Sequence, residues 1–270
     1  MKKLLTTLTV GVLGMAIAVA HATTNDMAAE SVKRGEYVAH AANCVACHSY
    51  DKGPYAGGTP FGVANSPNIT PDVKTGIGGY SFEEFERAVR QGVSKKGFSL
   101  SVMMPPTYSI MTDGDIHDVY DFFMRGLEPV EHAVPIVNAD REYTGARQAQ
   151  PFSLGVGEDP ATGRGRYLVE GLGHCGFCHT SRNAKGVEKA QWAGDGKGFL
   201  AGGDNSAGWM AINLRGDNQD GLARRGEKDL TEFFLTGRNE KTAAFGKMID
   251  IIENSTQYLT KEDAVAMARF

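Results

Sequence analysis

The segments NCVACHSY (43–50) and HCGFCHTS (174–181) each hold two cysteines three positions apart with a histidine directly after the second. Together they use all four cysteines of a 270-residue chain. Whatever the fold, it must bring two thiols and an imidazole to one side of a short turn, twice. Three chemistries use such a pair. A thioredoxin-like redox pair sits between a strand and a helix, yet EYVAHAAN and YLVEGLGH, which precede the motifs, carry helical patterning. A four-ligand zinc site needs the two pairs to meet, or histidines at finger spacing, and neither motif has a second His three to five residues on. The third chemistry matches. In CxxCH the sulfurs form thioethers to the vinyl groups of a haem and the adjacent imidazole binds the iron. Residues three apart lie on one side of a helical turn, so both sulfurs reach neighbouring vinyls. Two covalently bound haem c groups are therefore expected, on Cys44 and Cys47 and on Cys175 and Cys178, with His48 and His179 as iron ligands.

The first 22 residues differ from the rest. Lys2 and Lys3 precede an apolar run from Leu4 to Ala20, and Ala20-His21-Ala22 supplies the small-x-small pattern of a cleavage site. A secretory signal over 1–22 is expected, cleaved after Ala22 or, alternatively, after Ala20. The apolar core is shorter than the roughly 20 residues of a membrane span, which argues against an uncleaved anchor. Export implies a periplasmic protein. The leader holds two of the 28 basic residues and none of the 32 acidic ones. The remaining chain is thus acidic, which argues against nucleic acid as a partner.

An internal repeat supplies the sixth ligand of each iron. GGTPFGVANSPNITPDVKTGI from 57 aligns with GGDNSAGWMAINLRGDNQDGL from 202 at a constant offset, pairing Gly57 with Gly202, Asn68 with Asn213, Asp72 with Asp217 and Gly92 with Gly237. Beyond it, SLSVMMPPTY meets AAFGKMIDII and sets Met104, or Met103, opposite Met248. A thioether on a loop is a suitable distal haem ligand, and Pro105 and Pro106 keep the first such loop from becoming helix. Met111 and Met124 read as packing and Met210 as lining of a haem pocket. His40, His117, His132 and His174 read as surface or hydrogen-bonded side chains. Asn68, Asn213, Asp72 and Asp217 serve haem propionates or hold turns.

The expected fold is mainly α, with long Gly/Pro-rich loops around the haems. Helices are expected at 27–42, 82–91 with Ser81 as cap, 112–124 with Thr112 as cap, 164–172, 227–235 and from Thr260 onward. This gives a first domain over 27–130, a linker crossing the surface over 131–161, and a second domain over 162–270.

The stretches NITPDVKTGIGGYSFEEFERAVRQGVSKKG, MMPPTYSIMTDGDI, YLVEGLGHCGFCHT and TGRNEKTAAFGKM closely resemble the cytochrome c subunit of bacterial membrane-bound alcohol, gluconate and sorbitol dehydrogenases. The resemblance implies two tandem class I cytochrome c domains, with His48 and Met104 on one iron and His179 and Met248 on the other. It further implies a flavin- or quinone-dependent dehydrogenase subunit as electron donor, and ubiquinone, another cytochrome or an oxidase as acceptor, with membrane contact through partners. Family members typically carry three CxxCH motifs, and this sequence carries two. Electron transfer without intrinsic catalysis is thus expected; the alternative is a dihaem enzyme of peroxidase or thiosulfate-oxidising type, which needs one iron with an open or labile face. Replacing Cys175 and Cys178 together by Ala should lower the mass of the exported protein by one haem, and an unchanged haem mass would refute attachment there.

Overall fold

The computed structural model describes residues 26–61, 64–100, 106–135, 148–184, 188–204, 210–216 and 221–270. Met103, Met104, Asp217 and the leader lie outside them. Helix α1 spans 26–41 and is followed by the one-turn helix α2, Cys44–Cys47. A long loop contains the two-residue hairpin Pro60–Phe61 with Ala64–Asn65. Helix α3, Phe82–Glu86, starts on a capping box in which Ser81 accepts from the Glu84 amide and Glu84 accepts from the Ser81 amide. Helix α4, Asp113–Asp121, is capped by Thr112, which accepts from the Asp115 amide. Both end in wider π turns, at Arg87–Gln91 and Phe122–Gly126. The second half runs through α5 (Pro160–Arg166), α6 (Gly176–His179), α7 (Glu227–Thr236), α8 (Lys247–Asn254) and α9 (Lys261–Arg269).

Each half is built on one crossing of its first and last helices. A Cβ on Gly35 of α1 would lie 1.9 Å from the Asp118 carbonyl oxygen of α4, and one on Gly165 of α5 would lie 2.0 Å from the Ala266 oxygen of α9. Only a bare Cα lets the backbones approach so closely. Around the first crossing Val38, Ile116, Val119, Phe122 and Phe123 are buried; around the second, Tyr167, Leu168, Ala264 and Met267. From Gly35 to Cys44 is nine residues, and from Gly165 to Cys175 it is ten. The extra residue is absorbed by a π stretch, Tyr167–Leu172, that continues α5 where α1 stays α-helical.

Two elements differ from expectation. The helix expected from Arg164 begins at Pro160, because Asp159 accepts from the Thr162 amide and Pro160 takes the first helical position. Helix α8 stands where a methionine loop was expected: twelve residues separate Met248 from Thr260, against eight from Met104 to Thr112. The added length makes an amphipathic helix that buries Ile252, while the described residues of the first half's counterpart form the short 3₁₀ turn Pro106–Ile110. The described parts of 131–161 are mostly exposed and are tied to the first half by hydrogen bonds. The Val130 carbonyl at their start accepts from Asn68, His132 donates to the Ala56 carbonyl, and the amides of Gln150 and Phe152 donate to the carbonyls of Ser109 and Ile110.

The halves meet through a reciprocal contact. The Tyr37 hydroxyl donates to Asp263 and accepts from the Thr260 amide, at 2.5 and 3.2 Å. The Tyr167 hydroxyl donates to Asp115 and accepts from the Thr112 amide, at 2.6 and 3.1 Å. Each tyrosine thus sits two residues after its crossing glycine and grips the capped first turn of the other half's last helix, as in a pseudo-twofold dimer. Arg164 adds a bidentate pair to Asp263 at 2.9 and 2.7 Å. Burial opposes the charge of Asp263, but the hydrogen bonds from Arg164 and Tyr37 outweigh it and hold the carboxyl below its ordinary pKa.

Two outcomes follow. Gly35→Ala or Gly165→Ala should each destabilise the protein by about 1–3 kcal/mol in denaturant unfolding, since the helices must separate. Asp263, with its folded pKa below the unfolded one, contributes stability that is present above the unfolded pKa and lost as pH falls through the folded value. Asp263→Asn should therefore flatten the acid limb of the stability–pH curve, and an unaltered limb would contradict the pairing.

Candidate functional site

Chain geometry enters both cysteine turns in the same way. Asn43 and His174, directly before the first cysteines, adopt left-handed backbone with φ of 54° and 39°. The amides of His48 and His179 then donate to the carbonyls of Cys44 and Cys175, both at 3.0 Å, which sets each imidazole one turn beyond the first thiol. His48 Nδ1 lies 2.8 Å from the Pro67 carbonyl, and His179 Nδ1 lies 2.8 Å from the Ile212 carbonyl. Because a carbonyl only accepts, Nδ1 carries the proton in both rings and the Nε2 lone pair is free to bind a metal. Burial pushes both imidazoles below their ordinary pKa, favouring that neutral form over the hydrogen bonds' opposite pull.

The accepting carbonyls belong to the repeated glycine loops. Gly57 N donates to the His48 carbonyl at 2.7 Å, and Gly202 N to the His179 carbonyl at 2.9 Å. Both glycines have positive φ, 74° and 90°. A Cβ on Gly57 would lie 2.5 Å from the Pro67 carbonyl carbon, and one on Gly202 would lie 3.1 Å from the Ala211 oxygen. Glycine is thus what lets each loop fold back onto its histidine. Asn68 accepts from the Thr70 amide, Asn213 from the Arg215 amide, and Asp72 from the Lys74 and Thr75 amides. All three of these residues hold turns in the loops that carry the histidines' acceptors.

The four cysteines form no disulfide. Burial pushes the Cys44 and Cys175 thiols up to about 12, the reverse of what a redox pair requires. Cys47 is raised by burial and by Cys178, so the two turns lie near each other. Among the described residues no three His, Cys, Asp or Glu side chains converge as a metal cluster. Two sulfurs beside one imidazole with a free Nε2, over a glycine cradle, fit the donor set of covalent haem.

Met248 lies in the first turn of α8, half-buried, and α8 packs against α2. Met111 is buried as packing, whereas Met210, expected to line a pocket, is 70% exposed on a hairpin edge. The other histidines are engaged elsewhere: His40 stacks on Tyr258 at 3.7 Å, His117 on Phe82 at 4.0 Å, and His174 meets Tyr108 edge-on. Sequence reasoning missed the residues that join the halves, Tyr37, Tyr167, Asp115, Asp263 and Tyr108. A signal existed for four of them: RGEY at 34 matches RGRY at 164, and TDGD at 112 matches TKED at 260.

The cytochrome c family profile matches residues 32–126. The chain is 45% identical, over its full length, to the gluconate 2-dehydrogenase cytochrome c subunit of Pantoea cypripedii, of which it covers 64%. It is 38% identical over 97% of its length to the cytochrome c subunit of the quinone alcohol dehydrogenase of Gluconobacter oxydans, of which it covers 58%. A diheme cytochrome c-type protein of Cereibacter sphaeroides is 33% identical over 88% of the chain, which covers 83% of that relative. The chain thus spans less than two thirds of the two dehydrogenase subunits. Gly57→Ala should force the Pro67 carbonyl away from His48, altering the haem spectrum of one site and leaving the other unchanged; an unaltered spectrum would show that the cradle does not position the imidazole.

Proposed function

Because the chain belongs to the cytochrome c family, together with cytochrome c subunits of bacterial dehydrogenases, we propose that it is a periplasmic dihaem electron carrier serving a dehydrogenase. The observation that carries this reading is the pair of histidine Nδ1–carbonyl bonds, both 2.8 Å, whose acceptors Pro67 and Ile212 occupy matching positions of the repeated glycine loop in the two halves. In this reading residues 27–130 and 162–270 are two class I cytochrome c modules, exported by the leader 1–22.

Cys44 and Cys47 hold one haem c and Cys175 and Cys178 the other. His48 and His179, through Nε2, and Met104 and Met248, through their thioethers, would hold the irons. Haem c supplies a one-electron ferric–ferrous couple. The chain's own residues do the rest. The imidazoles are oriented by the Pro67 and Ile212 carbonyls, which place the proton on Nδ1, and burial favours their neutral form. With sulfur on the far side, neither face admits substrate, so the protein carries electrons without transforming a substrate. The donor is a flavin- or quinone-dependent dehydrogenase subunit; the relatives' names describe cytochrome c subunits of a gluconate 2-dehydrogenase and of a quinone alcohol dehydrogenase. The acceptor is ubiquinone, another cytochrome or an oxidase. Among the described residues no helix is long and apolar enough to cross a membrane; membrane contact would come through partners.

Two experiments test this. Purified oxidised protein mixed with such a dehydrogenase and its substrate should be reduced at both haems and should not turn over hydrogen peroxide. Peroxide turnover would instead indicate an open iron. Met104→Ala and Met248→Ala should each remove the far-red band of Met-ligated ferric haem from one site only, and a band that survives at full strength in either variant would overturn that ligand's assignment.

A further inference from the structure

Tyr108 touches the approaches to both cysteine turns. It sits on the 3₁₀ turn Pro106–Ile110 and is 7% exposed. Its hydroxyl donates to the carbonyl of Ala42, two residues before Cys44. Its ring meets the His174 ring edge-on at 5.8 Å and 71°, one residue before Cys175. Burial, with Cys44 and Cys47 close by, holds its hydroxyl well above the ordinary pKa, so the side chain stays protonated.

The surroundings leave Tyr108 little freedom. The amides of Gln150 and Phe152 clamp the next two carbonyls at 2.9 Å. A Cβ on Gly171 would lie 3.0 Å from Ile110. The Ala41 carbonyl, next to the one Tyr108 holds, accepts from Ser255 of the other half at 3.4 Å. The position equivalent to Tyr108, four residues before the cap Thr260, is Thr256, whose hydroxyl turns inward to the Phe234 carbonyl at 2.6 Å. Across the pseudo-twofold the turn Thr256–Tyr258 sends Tyr258 onto His40, stacked at 3.7 Å and four residues before Cys44, so the Tyr108 link differs from its counterpart in reaching the residue directly before a cysteine.

Electron tunnelling weakens faster across a gap than through packed atoms, so a side chain that fills the space between two redox sites governs the exchange between them. We propose that Tyr108 is the bridging residue between the two haem sites, joining the Cys44–Cys47 turn to the His174–Cys175 approach so that an electron passes between them inside the chain. This rests on the two-haem reading above. One electron leaves one iron and reduces the other; Tyr108 keeps its proton and is not itself oxidised. It acts as a positioning residue, through packing and one hydrogen bond.

The test uses the purified holoprotein with Tyr108→Phe and Tyr108→Leu. Both variants should retain two haems by mass. In half-reduced protein, exchange between the haem-methyl resonances of the two sites, followed by NMR, should stay near the wild-type rate with Phe. With Leu, which trades a packed ring for partly empty space, it should slow by about tenfold. An independent readout needs no core variant beyond the Phe one used for assignment: in wild-type protein carrying ring-labelled tyrosine, the Tyr108 signal should shift at both steps of a reductive titration. Unslowed exchange in the Leu variant, or a Tyr108 signal that responds to one step alone, would overturn the bridge while leaving the two-haem reading intact. A wild-type mass with a single haem would overturn both.

Discussion

The structure depends on a backbone carbonyl holding an imidazole proton. In each half a glycine loop folds back far enough to put a peptide oxygen, Pro67 or Ile212, 2.8 Å from the histidine that follows the second cysteine. That contact fixes the tautomer and leaves Nε2 free, while burial favours the neutral ring against the contact's own pull. Much of the rest maintains it. The positive-φ glycines let the loops return, and the asparagine and aspartate turns stiffen them. The helix crossings at Gly35 and Gly165 give each cysteine turn a rigid base.

The second level of organisation is the contact between the halves. Tyr37 reads the cap of α9 while Tyr167 reads the cap of α4, so each half completes its partner's last helix. A tyrosine hydroxyl that both donates to a carboxylate and accepts from an amide satisfies two polar groups at once, which makes the contact selective as well as stabilising. It also settles where the cysteine turns lie, because both follow directly from the helices that carry these tyrosines. The two halves are therefore joined close to their cysteine turns.

Much of this was readable from the residues. The CxxCH motifs, both histidines, and the caps at Ser81, Thr112 and Thr260 rest on local chemistry, and local chemistry is what a sequence displays. The π stretch after Arg166 was not readable, because a one-residue difference in spacing resolves into a widened turn only when the crossing glycine and the cysteine are both pinned. Helix α8 was missed because its length, not its composition, distinguishes it from the loop of the first half. Tyr108 was invisible for a different reason: its partners, Ala42 and His174, are 66 residues away in each direction and carry no pattern of their own.

The proposed function requires two irons, each held between a histidine nitrogen and a methionine sulfur. Low-temperature magnetic circular dichroism of the fully oxidised protein, calibrated against its haem content, measures this directly. It should give two low-spin ferric centres per chain, both with the near-infrared signature of His–Met ligation. A high-spin centre, a signature of two nitrogen ligands, or a single centre per chain would contradict it.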